Sequence, residues 1–280
     1  FVCQSKFNPT EALKLIEKEK ITSLYLVPTL YHDLISNKMF STKFIQTVSK
    51  IGFAGAPMNE DLVEKLYLYF NPKVFVNHYG STEIFTFSYK ENVQTKPGSA
   101  GKAGINQIIR VIDLESSDVK KLAAVGIEGK IIASMSSSEA FTSYWNKPES
   151  NKNSIVDGWY ITGDIGYLDC EGELFITGRI DDMIISGGEN ILPVELENIL
   201  ASFEGVIEAV VCGLPDERLG EIVAAFIKSD KQIKVNQLEE LFLKSKISRF
   251  KRPRKYYFVE EIPKSPVGKI LRRKLKEKFS

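Results

Sequence analysis

The sequence predicts an α/β protein in three parts: a parallel-sheet layer, a small β subdomain and a separate α+β domain. Three observations predict it. Residues 1–95 alternate helical and strand periodicity, the pattern of a layered parallel sheet. Residues 96–179 change to short alternating runs punctuated by Gly and Pro, which reads as all-β. From Asp181 onward helix and strand patterns alternate again, enough for one more small domain.

The first helix is expected over Thr10–Lys20, with Leu13 and Ile16 on its apolar face, and a buried strand follows in ITSLYLV. KIGFAGA and KVFVNHY read as further strands, with a helix near 59–70 between them. In the middle part QIIRVIDL, GKIIAS and GELFITG carry the strand signal. In the last part Pro193 sits early in a helix whose apolar face holds Leu196, Ile199 and Leu200, and Gly205 closes it. Strands are expected in EAVVCGL, IVAAFIK and KYYFV, and helices near 236–245 and from Ile270. No repeat or low-complexity linker intervenes, so the joint is short and lies near GRIDD. The divisions are therefore 1–179, with 96–179 as the β subdomain, and 180–280. The chain opens on Phe1 with a helix and a buried strand, as if inside a fold. A preceding segment is expected, which makes residues 1–179 the C-terminal part of a larger α/β domain.

A chain of 280 residues can bury more than one core. Hydrophobic residues at 43% and charged residues at 26% fit a soluble globular protein. No apolar run approaches the roughly 20 residues of a membrane span, so stable membrane insertion is not expected. Cys3, Cys170 and Cys212 show neither disulfide nor zinc spacing, which points to a reducing compartment, the cytoplasm. With only His32 and His78, a His-rich metal site is excluded. The net charge of +1 is unevenly placed: from Lys246 to Ser280 thirteen Lys and Arg stand against three Glu. Such a tail attracts phosphates, whether of a nucleotide, a nucleic acid or an anionic membrane.

Four stretches carry chemistry. NHYGSTE, Asn77 to Glu83, follows a strand, and strand C-terminal ends are where open α/β sheets bind ligands. There Tyr79 offers a ring face to a purine, Gly80 a tight turn, Ser81 and Thr82 hydroxyls, and Glu83 a carboxylate suited to Mg²⁺. GWYITGD, Gly158 to Asp164, places an Asp after a Gly turn, where it can accept from two ribose hydroxyls. GRIDDMIISGGENILPVELE, Gly178 to Glu197, puts Arg179 and Asp181 at the joint and Gly187-Gly188 in a loop. PKSPVGKILRR, Pro263 to Arg273, sets Lys269 on a Gly-preceded turn before the last helix. Taken singly, each also reads as structure: a turn after a strand, a β-turn, an interdomain salt bridge, a solvated lysine.

In this order, the four stretches resemble the adenylate-forming superfamily of acyl-CoA synthetases, adenylation domains and luciferases. The resemblance covers essentially the whole chain and is nearest to aryl- and acyl-CoA ligases of the 4-halobenzoate type. It implies a mobile C-terminal cap, ATP, Mg²⁺ and coenzyme A. It implies that Gly55, Ala56 and Pro57 contact adenine, that Tyr79 stacks on it and that Thr82 meets the α-phosphate. Glu83 becomes the Mg²⁺ ligand, and Asp164 and Arg179 the ribose contacts. Asp181 becomes the hinge and Lys269 the catalytic ammonium that bridges the acyl carboxylate and the α-phosphate. Gly187, Gly188, Phe250, Arg252 and Arg254 correspond to the CoA site, and His78 to the acyl pocket. A cation placed where two anions meet stabilises the transition state more than the separated reactants.

The expected partners are a carboxylic acid, CoA, the upstream part of the same protein and, as an option, a second copy in a homodimer. The superfamily's Ser/Thr/Gly-rich phosphate loop is expected upstream of Phe1, so residues 1–280 alone are expected not to turn over. GSAGKAG, Gly98 to Gly104, lacks P-loop spacing and reads as a turn. Leu219 stands where some relatives carry an aromatic, which leaves a carrier-protein thiol open as the acceptor. A binding module whose basic tail engages nucleic acid is the alternative of another class, but the tail contains no nucleic-acid motif.

Overall fold

The computed structural model describes residues 1–265 and 270–279. The chain divides into two compact units: Phe1–Thr162 with Gly166–Ile176, and Gly163–Ile165 with Thr177–Ser280.

The first unit begins with α1 (Pro9–Lys18), which Asn8 caps by accepting from the Glu11 N–H at 3.0 Å. Three strands follow, β1 (Ser23–Leu26), β2 (Lys50–Ala54) and β3 (Val74–Tyr79), separated by α2 (Pro28–Ile35) and α3 (Glu60–Phe70). Both neighbouring pairs are parallel. Their core holds Leu13, Ile16, Tyr31, Leu34, Phe53, Leu66 and Phe75. Tyr31 is fully buried because its hydroxyl finds two carbonyls, Gly52 at 2.9 Å and Leu24 at 3.1 Å.

The sheet then turns antiparallel. Strands β4 (Ser88–Glu91), β5 (Ser99–Ala103), β6 (Ile109–Asp113), β7 (Gly129–Ser134), β8 (Ile155–Val156), β9 (Trp159–Leu168) and β10 (Leu174–Arg179) follow, with α4 (Pro148–Ser154) before β8. One ten-stranded sheet runs β1-β2-β3-β4-β5-β10-β9-β7-β6, with β8 paired to β9. The β-rich stretch is thus hydrogen-bonded to the parallel strands through β3–β4, and it contains a short helix.

Two turn expectations are corrected. GSAGKAG is not a turn: its centre is β5, held between β4 and β10. Its glycine is spatial in origin, since a Cβ on Gly101 would come within 1.9 Å of the Tyr89 carbonyl oxygen, beside a bulge in the β5–β10 register. The tight turn of GWYITGD lies at its first residue and not next to Asp164. Asp157 and Gly158, both at positive φ, close the β8–β9 hairpin, while Asp164 sits inside β9.

The second unit contains β11 (Ile184–Ser186), β12 (Glu189–Ile191), α5 (Pro193–Ala201), β13 (Val206–Asp216), β14 (Gly220–Ser229), α6 (Val235–Lys244), β15 (Lys255–Phe258) and α7 (Arg272–Phe279). The last helix starts at Arg272 rather than Ile270, which instead bridges Lys264. β13 and β14 form the long central hairpin, with β11 and β15 also paired to β14. The apolar run IVAAFIK is continuous because both faces of β14 are covered. Val223, Ala225 and Ile227 pack with Leu196, Leu200, Leu238 and Phe242. Ala224 and Phe226 face the other way, with Leu275 and Phe279 of α7.

Candidate active site

In the first unit the parallel register aligns the C-terminal ends of β2 and β3, pairing Ala54 with His78. Gly55-Ala56-Pro57 leaves β2 as an exposed loop, with Gly55 at φ +82°. Tyr79 ends β3, half-buried, with its ring 4.9 Å from that of Phe87. The structure therefore brings the two purine candidates to one end of adjacent strands.

The turn from Tyr79 to Phe87 is closed tightly. Phe87 N–H donates to the Tyr79 carbonyl at 2.9 Å and Ser81 N–H to the Ile84 carbonyl at 2.9 Å. Ser81 Oγ accepts from the Glu83 N–H at 3.2 Å and the Ile84 N–H at 3.3 Å. Gly80 is required by space, because a Cβ there would lie 1.7 Å from the Phe85 carbonyl oxygen. Thr82 is left exposed at the tip.

A distant segment is zipped along this turn. Phe141 N–H donates to the Glu83 carbonyl at 2.7 Å, and Thr86 N–H donates to Glu139 Oε2 at 2.8 Å. This pairing delivers Tyr144, whose hydroxyl donates to Glu83 Oε1 at 2.6 Å, with the Tyr160 hydroxyl 3.5 Å from that of Tyr144. Burial pushes the Glu83 carboxyl up, but the hydrogen bonds led by Tyr144 outweigh it, and its pKa falls below the ordinary value of 4.5. Glu83 is thus an anion held by neutral donors. Among the described residues no group of three or more His, Cys, Asp or Glu gathers around it. That donor set suits a Mg²⁺ ion, which is commonly held by one or two carboxylates plus phosphate oxygens and water.

His78 borders a cleft of about 1100 Å³ in the first unit, with Tyr25, Phe85, Thr86, Ile105 and Glu139 also on its walls. Its Nδ1 is hydrogen-bonded to the Tyr25 hydroxyl and its Nε2 lies 3.3 Å from Thr86 Oγ1. Its ring is 4.8 Å from that of Phe85. Burial holds the His78 pKa below its ordinary value, with Glu139 and the Phe85 backbone opposing in part, so the ring is neutral at pH 7.

In the second unit Arg179 Nη1 lies 3.4 Å from Asp164 Oδ1. Gly163, at φ +79°, lets the guanidinium approach: a Cβ there would meet Arg179 Nη2 at 3.1 Å. Asp181 is exposed in a short 3-10 turn, Ile180–Asp182. Gly187-Gly188 is a two-residue hairpin turn between β11 and β12, both residues at positive φ, with Gly187 N–H donating to the Leu219 carbonyl at 2.9 Å. Phe250 is exposed and Arg254 too, whereas Arg252 donates through Nε and Nη2 to the Ile247 carbonyl. Lys269 lies outside the described residues.

Tyr25, Glu139, Tyr144 and Tyr160 were not legible as site residues. Their only sequence signal is proximity to aromatic or Ser-rich stretches, and their roles come from contacts across 53, 53, 61 and 16 positions. No helix among the described residues is long and apolar enough to cross a membrane.

Comparison with known proteins places this geometry. The profile described as AMP-binding enzyme matches residues 1–145, and that of the AMP-binding enzyme C-terminal domain matches residues 195–269. The chain is 35% identical over 271 residues to 4-chlorobenzoate–CoA ligase of Arthrobacter sp, covering 97% of this chain and 51% of that protein. It is also 35% identical to the long-chain-fatty-acid–CoA ligase FadD13 of Mycobacterium tuberculosis, covering 100% and 54%. The chain spans about half the length of the curated relatives it matches. Among solved structures, ATP-bound MatB from Rhodopseudomonas palustris superposes with a TM-score of 0.89 at 29% identity, covering 99% of this chain and 54% of that one. The o-succinylbenzoate CoA synthetase of Bacillus subtilis bound to its acyl-adenylate gives 0.82 at 28% identity, covering 98% and 54%. With its two family profiles in order on a matching fold, the chain belongs to the AMP-binding enzymes, the adenylate-forming superfamily.

Proposed function

We propose that the whole protein uses ATP to convert a carboxylic acid to an acyl-adenylate, releases pyrophosphate, and passes the acyl group to the thiol of coenzyme A. The observation that carries this reading is Glu83, a carboxylate kept ionised by neutral donors in the turn that leads from Tyr79 to Phe85 and Thr86, two residues on the wall of the cleft bordered by His78. In this reading Gly55, Ala56, Pro57 and Tyr79 receive the adenine, Thr82 the α-phosphate, and Asp164 with Arg179 the ribose hydroxyls. Glu83 would hold Mg²⁺, which supplies charge neutralisation to the phosphates when bound. Tyr144 orients the carboxylate. Lys269 stabilises charge where the acyl carboxylate attacks the α-phosphorus, and Asp181 serves as the hinge of the second unit between the two half-reactions.

Gly187, Gly188, Phe250 and Arg254 are assigned to CoA, supported by their exposure. Arg252 is assigned there through its remaining donors, since two already serve Ile247. A carrier-protein thiol is the second reading. Leu219 underlies it, lying against the glycine hairpin without an aromatic ring to stack on a nucleotide. So does a relative, the fatty acid–[acyl-carrier-protein] ligase ScoC of Streptomyces coeruleorubidus, at 34% identity. A cytoplasmic location is proposed from the three free cysteines.

The test is ATP–pyrophosphate exchange by the whole protein over a panel of carboxylic acids, followed by a chase with CoA or with carrier protein. Acid-dependent exchange and consumption of the adenylate by CoA are expected. Exchange with no acid in the panel overturns the reading, and a chase by carrier protein alone selects the second one. Lys269→Ala is expected to abolish exchange while sparing thioester formation from supplied acyl-adenylate.

A further inference from the structure

Arg272 opens α7 three positions after Lys269, and its guanidinium is divided between two elements of the second unit. Nη2 donates to both oxygens of Glu197 on α5, at 2.7 and 2.9 Å, and Nη1 donates to Asp182 Oδ2 at 3.2 Å. Asp182 ends the 3-10 turn Ile180–Asp182 and is the chain neighbour of Asp181. A structural tie is already complete with Glu197. The Asp182 contact adds little to it electrostatically: burial is the largest cause raising the Glu197 pKa, and the Asp182 charge raises it further against Arg272. Arg272 Nε is buried without a hydrogen-bond partner, so the guanidinium is not arranged to satisfy all its donors. What Asp182 supplies is a geometric link from the turn that holds Asp181 to the start of α7. The other side of the same stretch is also pinned. Leu271 N–H donates to the Pro263 carbonyl at 2.8 Å, Ile270 bridges Lys264, and Lys264 Nζ lies 3.0 Å from Glu208 of β13.

We propose that Asp182 is a positioning residue for the adenylation half-reaction: through Arg272 it aligns the stretch that carries Lys269 with the turn that holds Asp181. This rests on the ligase reading above, in which Lys269 serves the first half-reaction and not the second, and deepens it. The physical reason is pre-organisation. A lysine ammonium rides on a flexible four-carbon stem, so its placement depends on how firmly its flanking backbone is anchored. A displacement of about 1 Å that arises away from the chemistry can lower a rate by on the order of 10²-fold. An arginine fork suits the anchoring, because its rigid plane can hold carboxylates on two elements at once.

The experiment compares the wild type of the whole enzyme with Asp182→Asn, a change of matched shape at a side chain that is 27% exposed and that leaves the Arg272–Glu197 pair in place. Three quantities are measured: ATP–pyrophosphate exchange with the best acid of the carboxylic acid panel, thioester formation from supplied acyl-adenylate and CoA, and the melting temperature. Asp182→Asn is expected to lower kcat for exchange by on the order of 10–100-fold, with the KM values for ATP and acid nearly unchanged. Thioester formation and the melting temperature are expected to stay close to those of the wild type. Exchange that Asp182→Asn leaves unaltered overturns the proposal. So does a loss shared by both half-reactions, or one that follows a fall in melting temperature, since either makes Asp182 a structural residue only. Absence of exchange by the wild type with every acid removes the ligase reading itself and this proposal with it. Exchange by the wild type without a split between the half-reactions in Asp182→Asn removes only the proposal.

Discussion

Glu83 and Glu197 are both carboxylates held by long-range hydrogen bonds, yet their surroundings differ in one respect. Glu83, in the first unit, is held by the hydroxyl of Tyr144, a neutral donor. Glu197, in the second, takes two hydrogen bonds from Arg272, at 2.7 and 2.9 Å, and a third from the Val211 N–H at 2.8 Å. Arg272 also reaches Asp182 at 3.2 Å. Glu197 is 14% exposed and Arg272 17%. Burial raises the Glu197 pKa, with Arg272 and the Val211 N–H opposing. The Arg272 charge is spent within the fold, tying α7 to α5 and to the turn that holds Asp181. Tyrosines fix the geometry of Glu83 but leave its charge for a ligand. A carboxylate oriented without being neutralised is what a cation site needs. One oriented and neutralised by a buried arginine is a structural tie.

The strongest way to break this contrast is Arg272→Ala. It leaves Glu197 buried without its cation, and a loss of about 3–5 kcal/mol is expected in chemical denaturation. If Arg272→Ala unfolds normally, the tie is not structural. Glu83→Gln is the converse. It should leave the melting temperature nearly unchanged while lowering pyrophosphate exchange by on the order of 10²–10³-fold.

Tyr144→Phe sharpens the comparison, since it removes the orienting donor and keeps the ring. About a 10–100-fold loss in kcat/KM is expected, the range seen when a partner that orients a metal ligand is removed. The same substitution carries a pH signature. The folded Glu83 pKa is depressed, so the stabilisation linked to its ionisation is present above the unfolded value, 4.5, and is lost as pH falls through the folded one. Losing the Tyr144 donor raises that folded pKa, so the acid limb of the rate profile should move to higher pH. An unmoved limb would show that Tyr144 does not hold the ionised form. The smallest effect is expected at Gly187→Ala. There a positive φ and the Leu219 side chain at 3.2 Å cost about 1–2 kcal/mol, read in the melting curve and confined to the second unit.

Much of the fold was legible because it is written locally. Leu13 and Ile16 one turn apart, Pro193 at a helix start and the unbroken apolar run of β14 each report their own surroundings. Turns were less secure. Gly98–Gly104 contains glycines for which a turn is the cheapest local explanation, but the real reason at Gly101 is a neighbouring strand at van der Waals distance. Asp164 was read as following a turn for the same reason, whereas Gly163 serves the approach of Arg179.

By itself the sequence determined the helix–strand alternation of the first and last parts, the principal strands and the four stretches that identify the family, because periodicity and motif spacing are properties of neighbouring residues. Only the tertiary structure decided which side chains complete those stretches. Tyr144 meets Glu83, Glu139 meets Thr86, and Arg272 meets Glu197 across 61, 53 and 75 positions. The physical reason is that hydrogen bonds and charges act through space. A carboxylate's pKa and its availability to a ligand depend on what the fold brings near it, and no local pattern in the chain encodes that.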